Sequence, residues 1–254
     1  MSRHCAVVPV YDHGATVGRV VAELRRHALP VFLVDDGSGA ECAAVLDALA
    51  TEDTDVRVVR LARNSGKGCA VRAGLEAALA AGFTYALQID ADGQHALGDI
   101  PRFVALSLQR PQDVVCGCPQ FDASVPRHRL YLRYLTHVMV WVNTLSLDVR
   151  DAMCGFRVYP LEQVLAVIRE EGLGRRMDFD VDLLVRLHWR GVPLSWVPTR
   201  VTYPADGVSH FRLVRDNALI TSMHTRLFFG MLWRAPRLLA RRWRFAATGS
   251  QASA

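Results

Sequence analysis

The sequence predicts an α/β fold: a mostly parallel sheet flanked by helices, followed by a C-terminal amphipathic helical extension. Three observations lead there. Short apolar runs alternate with helically spaced segments through the first half of the chain, the rhythm of repeated strand–helix units. The second and fourth of these runs stop abruptly at Asp-rich, Gly-containing turns, as strands do at the edge of a parallel sheet. The composition is globular: 254 residues, 51% hydrophobic and 22% charged, excluding a disordered chain, a collagen and a disulfide-stapled miniprotein. This length suits one large domain with a buried core.

The β-branched run at 5–10 predicts the first strand. Val17, Val20, Val21 and Leu24 share one side of a helix over 15–28. The run at 31–34 is a second strand, ending at Asp35-Asp-Gly-Ser38, and the Ala/Leu-rich stretch 40–50 is a helix. A third strand at 56–61, a helix at 68–81 and a fourth strand at 85–89, ending at Asp90, complete the regular half. Right-handed crossovers place the ends of these strands along one edge, where open α/β sheets bind ligands. Beyond it, the patterns predict helices at 99–109, 127–147, 161–171 and 179–190. Strands are expected at 113–118 and 156–159, with a strand pair or extended segment at 192–203. We expect a catalytic domain over 1–210, a basic amphipathic extension over 211–245 and a disordered tail over 246–254.

The chain has a net charge of +5, and a single lysine, Lys67. Residues 211–245 hold eight arginines against one acid, Asp216, so the basic excess is a C-terminal feature. The six cysteines form no CxxC pair and no zinc spacing, which predicts reduced thiols and a cytoplasmic protein. No signal peptide is expected. The longest uncharged stretch, 134–147, is 14 residues long, short of a membrane span.

Polar residues gather just past the predicted strands: Tyr11-Asp12, Asp35-Asp36 and Asp90-Ala-Asp92. Two carboxylates one residue apart on such a bend can face one hard cation, and Mg²⁺ or Mn²⁺ is typically held by one or two carboxylates plus substrate phosphates. The bland alternative is a solvated Asp-Gly turn. Asn64-Ser-Gly-Lys-Gly-Cys-Ala70 opens a helix; it is neither a Walker A loop nor GxGxxG, yet it places a Gly-flanked Lys at a helix N-terminus, a ready anion contact.

Six motifs in order bear a family likeness: Val8-Pro-Val-Tyr-Asp12, Val34-Asp-Asp-Gly-Ser38, Arg63-Asn-Ser-Gly-Lys-Gly-Cys-Ala70, Gln88-Ile-Asp-Ala-Asp-Gly-Gln-His95, Asp151-Ala-Met-Cys-Gly-Phe-Arg157 and Asp178-Phe-Asp-Val-Asp182. Over about residues 4–210 they resemble the GT-A glycosyltransferases of family 2, in particular the dolichol- or polyprenyl-phosphate sugar synthase branch. The resemblance implies a GT-A, Rossmann-like sheet. Pro9, Tyr11 and Asp12 would line the nucleotide, Asp36 with Asp35 would contact the base, and Asn64 and Lys67 would lie beside it. Asp90, Asp92 and Gln94 would form the set around a divalent metal, Mg²⁺ or Mn²⁺, with Asp92 catalytic. His210 and Arg212 match the place where relatives carry a basic residue near the pyrophosphate.

The acceptor side is left with two readings. A hydroxyl acceptor needs a carboxylate base. Asp151 is the first candidate for that base or for an acceptor-loop carboxylate; Asp178, Asp180 and Asp182 compete, Asp178 and Asp182 sharing a helix face that Asp180 does not. A lipid phosphate is already ionised and needs cations; Arg129 and Arg133, one helical turn apart, could make that site.

In the extension, Ile220, Met223, Leu227 and Met231 recur at helical spacing, and Pro236 is expected to interrupt the helix. Trp and Arg interleave beyond it, which suits an anionic membrane surface; a core-packing helix is the alternative for 220–231. The sequence thus predicts a metal-dependent inverting glycosyltransferase moving a hexose from a nucleotide-diphosphate sugar to a lipid-linked or membrane-embedded acceptor. It would sit peripherally at the inner face of the membrane, with no nucleic-acid partner. A sugar nucleotidyltransferase and a non-catalytic membrane scaffold are the alternatives. The missing Gly-rich N-terminal loop argues against the first and the intact Asp90/Asp92/Gln94 set against the second.

Overall fold

The computed structural model describes residues 3–121, 125, 127–202 and 213–251, with the side chains of 127–129, 213–214 and 242–251 left aside. The strands are β1 (His4–Val10), β2 (Val31–Asp35), β3 (Val56–Arg60), β4 (Tyr85–Gln88), β5 (Val114–Phe121), β6 (Arg157–Pro160) and β7 (Leu194–Val201). The helices are α1 (Gly14–Arg26), α2 (Ala40–Glu52), α3 (Lys67–Ala80), α4 (Ile100–Gln109), α5 (Arg127–Thr144), α6 (Leu161–Glu170), α7 (Phe179–Arg190) and α8 (Leu213–Gln251). One sheet has the order β3-β2-β1-β4-β6-β5-β7, and β6 alone runs antiparallel to its neighbours. The extended segment after residue 192 is one strand, β7, rather than a pair.

Chain order runs outward from β1 to β3 and then reverses to β4, so α1 and α2 pack on one face and α3 on the other. Side chains along β1 divide accordingly: Ala6, Val8 and Val10 join the core under α1, α2 and α4, and Cys5 and Val7 join the core under α3, α6 and α7. Strands buried on both faces read as continuous apolar runs, which is why β1 and β2 stand out in the sequence. At Gly74, α3 lies so close to the sheet that an added Cβ would fall 2.3 Å from Val7 Cγ1 and 2.8 Å from Val34 Cγ2. Gly74→Ala is therefore expected to lower stability by about 1–3 kcal/mol through overpacking. An unchanged midpoint in urea denaturation would show that the helix shifts at no cost.

Helix α8 continues through Pro236 and ends within the segment 246–254. The reason is visible in its packing. Met223, Leu227, Met231 and Leu238 are all buried, a single stripe that carries on past the proline. Pro236 itself is exposed, so water can replace the one backbone bond it removes. The opposite side of α8 exposes Phe229, Leu232 and Trp233, the last 87% accessible, and the neighbouring helix α5 exposes Tyr131, Tyr134 and Leu135. Among the described residues, no helix is long and apolar enough to cross a membrane. The boundary expected at 210/211 lies outside the described residues.

Candidate functional site

At the C-terminal ends of β1 to β4, where strand order reverses between β1 and β4, lies a cleft of about 470 Å³. Pro9 lines it from the end of β1 and Tyr11 and His13 just beyond, Asp36 after β2, Asn64 and Lys67 after β3, and Asp90 and Asp92 after β4. Arg176, from the loop before α7, and Arg215 and Asp216, at the start of α8, complete the walls. The topology thus brings together seven of the residues singled out in the sequence, Pro9, Tyr11, Asp36, Asn64, Lys67, Asp90 and Asp92, from four strand ends.

Lys67 is the first residue of α3, and its ammonium bridges two carboxylates. Nζ is 2.8 Å from Asp90 Oδ1, 3.0 Å from Asp90 Oδ2 and 3.0 Å from Asp180 Oδ2. Burial alone would lower its pKa, but Asp180 and Asp90 outweigh that and raise it. Burial likewise opposes ionisation of Asp90, yet Lys67, with His95 3.6 Å away, holds its carboxyl below the usual carboxylate range. Asp180 is fixed from behind by Gln88 Nε2, which donates to Oδ1 at 3.2 Å, and Gln88 accepts from Tyr159 Oη at 3.0 Å. Gly155 backs this cluster: a Cβ there would fall 2.7 Å from Asp90 Oδ2 and 2.8 Å from Lys67 Nζ. Of the acidic trio, then, Asp180 alone pairs with Lys67, from just behind the cleft lining. Asp178 accepts from the Arg176 N–H, and Asp182 accepts from the Gly174 N–H and from Arg186 Nε, so both shape the loop and helix around them.

Asp36 occupies the N-terminus of α3. Its Oδ1 accepts from Ser65 N at 2.7 Å and its Oδ2 from Gly66 N at 2.9 Å. Burial, the largest influence, raises its pKa against the pull of those two bonds. The helix N-terminus foreseen as an anion contact is thus partly filled by the protein's own carboxylate. Asp35 and Asp12 are outside the cleft lining. Asp35 Oδ1 accepts from Ser38 N at 2.9 Å, and Asp12, in a left-handed conformation at φ 53°, accepts from Gly39 N at 2.8 Å. Both secure the turn after β2.

Asp92 differs from Asp90. Burial and then the Asp90 charge push its carboxyl pKa up, and its only hydrogen bond among the described residues is from Gln94 N to Oδ1, 3.0 Å. Gln94 serves through its backbone here and is outside the cleft lining. Two adjacent carboxylates, one carrying spare lone pairs and disfavoured as an unpaired anion, are a hard-oxygen donor set that fits Mg²⁺ or Mn²⁺. Among the described residues, no group of three or more His, Cys, Asp or Glu is placed to hold a metal ion.

On the loop between α5 and β6, Asp151 is fully engaged. Its Oδ1 accepts from Met153 N at 2.9 Å and Cys154 N at 2.7 Å; its Oδ2 accepts from Arg133 Nε at 2.9 Å and from Arg133 Nη2. The Arg133 guanidinium also lies 5.0 Å over the Phe121 ring. The side chain of Arg129, and all of His210 and Arg212, lie outside the described residues.

Sequence reasoning missed Arg176, Arg215 and Asp216 and left Asp180 undecided. The Arg175-Arg176 pair directly before the acidic trio was the available signal for the first. Arg215 is one of several arginines of α8 whose spacing suits a surface pattern, and nothing in that spacing sets it apart.

The sequence and fold comparisons bear on the family and the fold. The model of Glycosyl transferase family 2 matches residues 5–165. Polyprenol monophosphomannose synthase of Mycolicibacterium smegmatis is 26% identical over 216 residues, 82% of this chain and 80% of that protein. Dolichyl-phosphate beta-glucosyltransferase of Mus musculus is 30% identical over 184 residues, 68% of this chain and 55% of that protein. In fold, the chain is similar to glucosyl-3-phosphoglycerate synthase from Mycobacterium tuberculosis in complex with Mn²⁺ and UDP-glucose. The TM-score is 0.65 at 15% identity, covering 92% of this chain and 79% of the other.

Proposed function

This chain belongs to Glycosyl transferase family 2, and from that premise we propose that it moves a hexose, with inversion, from a nucleotide-diphosphate sugar to a polyprenyl-phosphate lipid. The observation that favours a phosphate over a hydroxyl acceptor is the state of Asp151. Both its oxygens are taken up by Arg133 and by two backbone N–H groups, so it anchors a guanidinium instead of standing ready to remove a proton. A phosphate acceptor arrives ionised; what it needs is a fixed cation, and among the described residues Arg133 Nη1 has no hydrogen bond and would be available to it. The names of the two relatives point to the same acceptor class.

The roles follow from the geometry. Pro9 and Tyr11 flank the nucleotide, and Asp36 holds the Asn64–Lys67 loop against it. The donor diphosphate lies by Asp92, which with Asp90 would hold Mg²⁺ or Mn²⁺. Such a cation supplies Lewis-acid neutralisation of the leaving diphosphate. Lys67 keeps Asp90 ionised and aimed. Arg176 and Arg215 offer further positive charge at the cleft wall. His210 and Arg212 remain proposed as diphosphate contacts, and Arg129 as a second acceptor cation. We assign residues 1–210 to catalysis and 211–245 to contact with an anionic membrane on the cytoplasmic side. The exposed Phe229, Leu232 and Trp233 and the arginines beside them support that contact.

Arg133→Gln is expected to raise the KM for polyprenyl phosphate about tenfold while leaving nucleotide-sugar binding unchanged, because a charge-assisted contact is worth roughly 1.5–3 kcal/mol. Initial rates with polyprenyl phosphate and with the corresponding free alcohol check both points. Equal use of the alcohol, or an unchanged KM in the variant, would overturn the phosphate-acceptor reading.

A further inference from the structure

We propose that a second phosphate-bearing ligand binds beside the donor cleft, in a cavity of about 640 Å³ lined by Arg63, Arg175, Arg176, Arg215 and Arg226. Three segments far apart in sequence converge on it: the loop after β3, the loop before α7 and the first turns of α8. Among the described residues its only lining carboxylate is Asp178, which is buried and accepts from the Arg176 N–H at 3.0 Å. Arg226 lies at the edge of ion-pair range, 3.9 Å from Asp178 and 3.7 Å from Asp182. Arg176 Nη1 donates to Asn64 Oδ1 at 3.1 Å. Among the described residues, the guanidinium groups of Arg63, Arg175 and Arg215 have no ion pair or hydrogen bond.

Five guanidinium groups around one carboxylate repel one another, and an anion in the cavity relieves that repulsion. A phosphate suits such a surround better than a carboxylate, because its tetrahedral oxygens accept guanidinium groups from more directions. The cavity is separate from Arg133 and Asp151, which do not line it. It does share Asn64, Arg176 and Arg215 with the cleft, so an occupant would be felt there. The inference rests on charge and shape and does not require the transfer reaction. The phosphate could belong to a lipid headgroup, since α8 supplies Arg215, Ser222 and Arg226 here and exposes Phe229 and Trp233 farther along, or to a soluble phosphate compound.

The test uses the full chain in chelator and the double variant Arg63→Gln/Arg175→Gln, whose altered residues line this cavity and not the cleft. Three titrations are compared between wild type and variant: inorganic phosphate by calorimetry, phosphatidylcholine vesicles with and without phosphatidic acid by co-sedimentation, and UDP by calorimetry. We expect phosphate-dependent binding that weakens at least about tenfold in the variant, with UDP binding unchanged. Binding of free phosphate identifies a soluble ligand; binding of phosphatidic acid vesicles alone identifies a headgroup; either supports the site. No binding in either arm, equal binding by both proteins, or a parallel loss of UDP binding would overturn it. Matching circular dichroism melts establish that the variant is folded.

Discussion

Asp92→Asn is expected to reduce sugar transfer on the order of a thousandfold and to leave the fold intact or slightly stabilised. The first half follows from the chemistry proposed for Asp92: loss of the carboxylate with spare lone pairs removes several kcal/mol of charge stabilisation at the leaving diphosphate. The second half follows from its surroundings. Burial and the neighbouring Asp90 push the Asp92 pKa above its ordinary value, so the ionised form is disfavoured in the folded protein. A group whose folded pKa is raised makes the native state bind protons more readily than the unfolded chain. Its ionisation therefore costs stability as pH rises through the carboxylate range, and a neutral amide avoids that cost. The melting temperature at neutral pH should equal or exceed that of wild type. A variant that unfolds would mean Asp92 is structural; one that turns over normally would remove the metal reading.

Lys67→Met is expected to show the opposite pattern, with the fold itself weakened. It leaves Asp90 and Asp180 facing each other in the site without their shared cation, and breaking a buried ion pair costs about 3–5 kcal/mol. The Asp90 side chain retains 23% exposure, so the lower end, about 3 kcal/mol, applies, equivalent to a fall in melting temperature of roughly 6–12 °C. The pH dependence distinguishes this from a simple packing loss. In the wild type, Asp90 is held below the usual carboxylate range, so its contribution is present above about pH 4 and is lost only as pH falls through the depressed value. Without Lys67 the two carboxylates are stabilised by protonation instead. The gap between variant and wild type should therefore narrow as the pH is lowered from about 7 to about 5. A gap independent of pH would show that Lys67 matters by volume and not by charge.

The strand ends that build the cleft are legible in the sequence because each is a local event: an apolar run, then Asp or Gly. Periodicity locates β1 to β4 and α1 to α3 within a few residues. Strand direction is a different kind of information. Arg157–Pro160 is buried and reads like any inner strand, but its antiparallel pairing with β4 and β5 depends on the path of the chain between them. Pro236 argues locally against a continuous α8, but the buried stripe from Met223 to Leu238 outweighs one lost backbone bond. At the site, side-chain chemistry at strand ends is readable, but the direction each carboxylate faces is not. Asp12, Asp35 and Asp36 look alike in sequence; the first two tie a turn, and Asp36 faces the cleft while holding the Lys67 loop. Asp180 could be separated from Asp178 and Asp182 by helical spacing, yet its partner, Lys67, is more than a hundred residues away.

The proposed reaction is release of a nucleotide diphosphate, aided by Asp92 and a divalent cation, as a sugar passes to a lipid phosphate. The most direct measurement is transfer of radiolabelled sugar, from a panel of nucleotide sugars, into organic-extractable polyprenyl phosphate, run with Mn²⁺ or Mg²⁺ and with chelator for wild type and Asp92→Asn. Wild type with metal is expected to yield a labelled lipid from at least one donor, and only background is expected with chelator or with the variant. Transfer that persists in chelator and in Asp92→Asn, or no lipid product from any donor by a folded protein that binds nucleotide sugars, would contradict it.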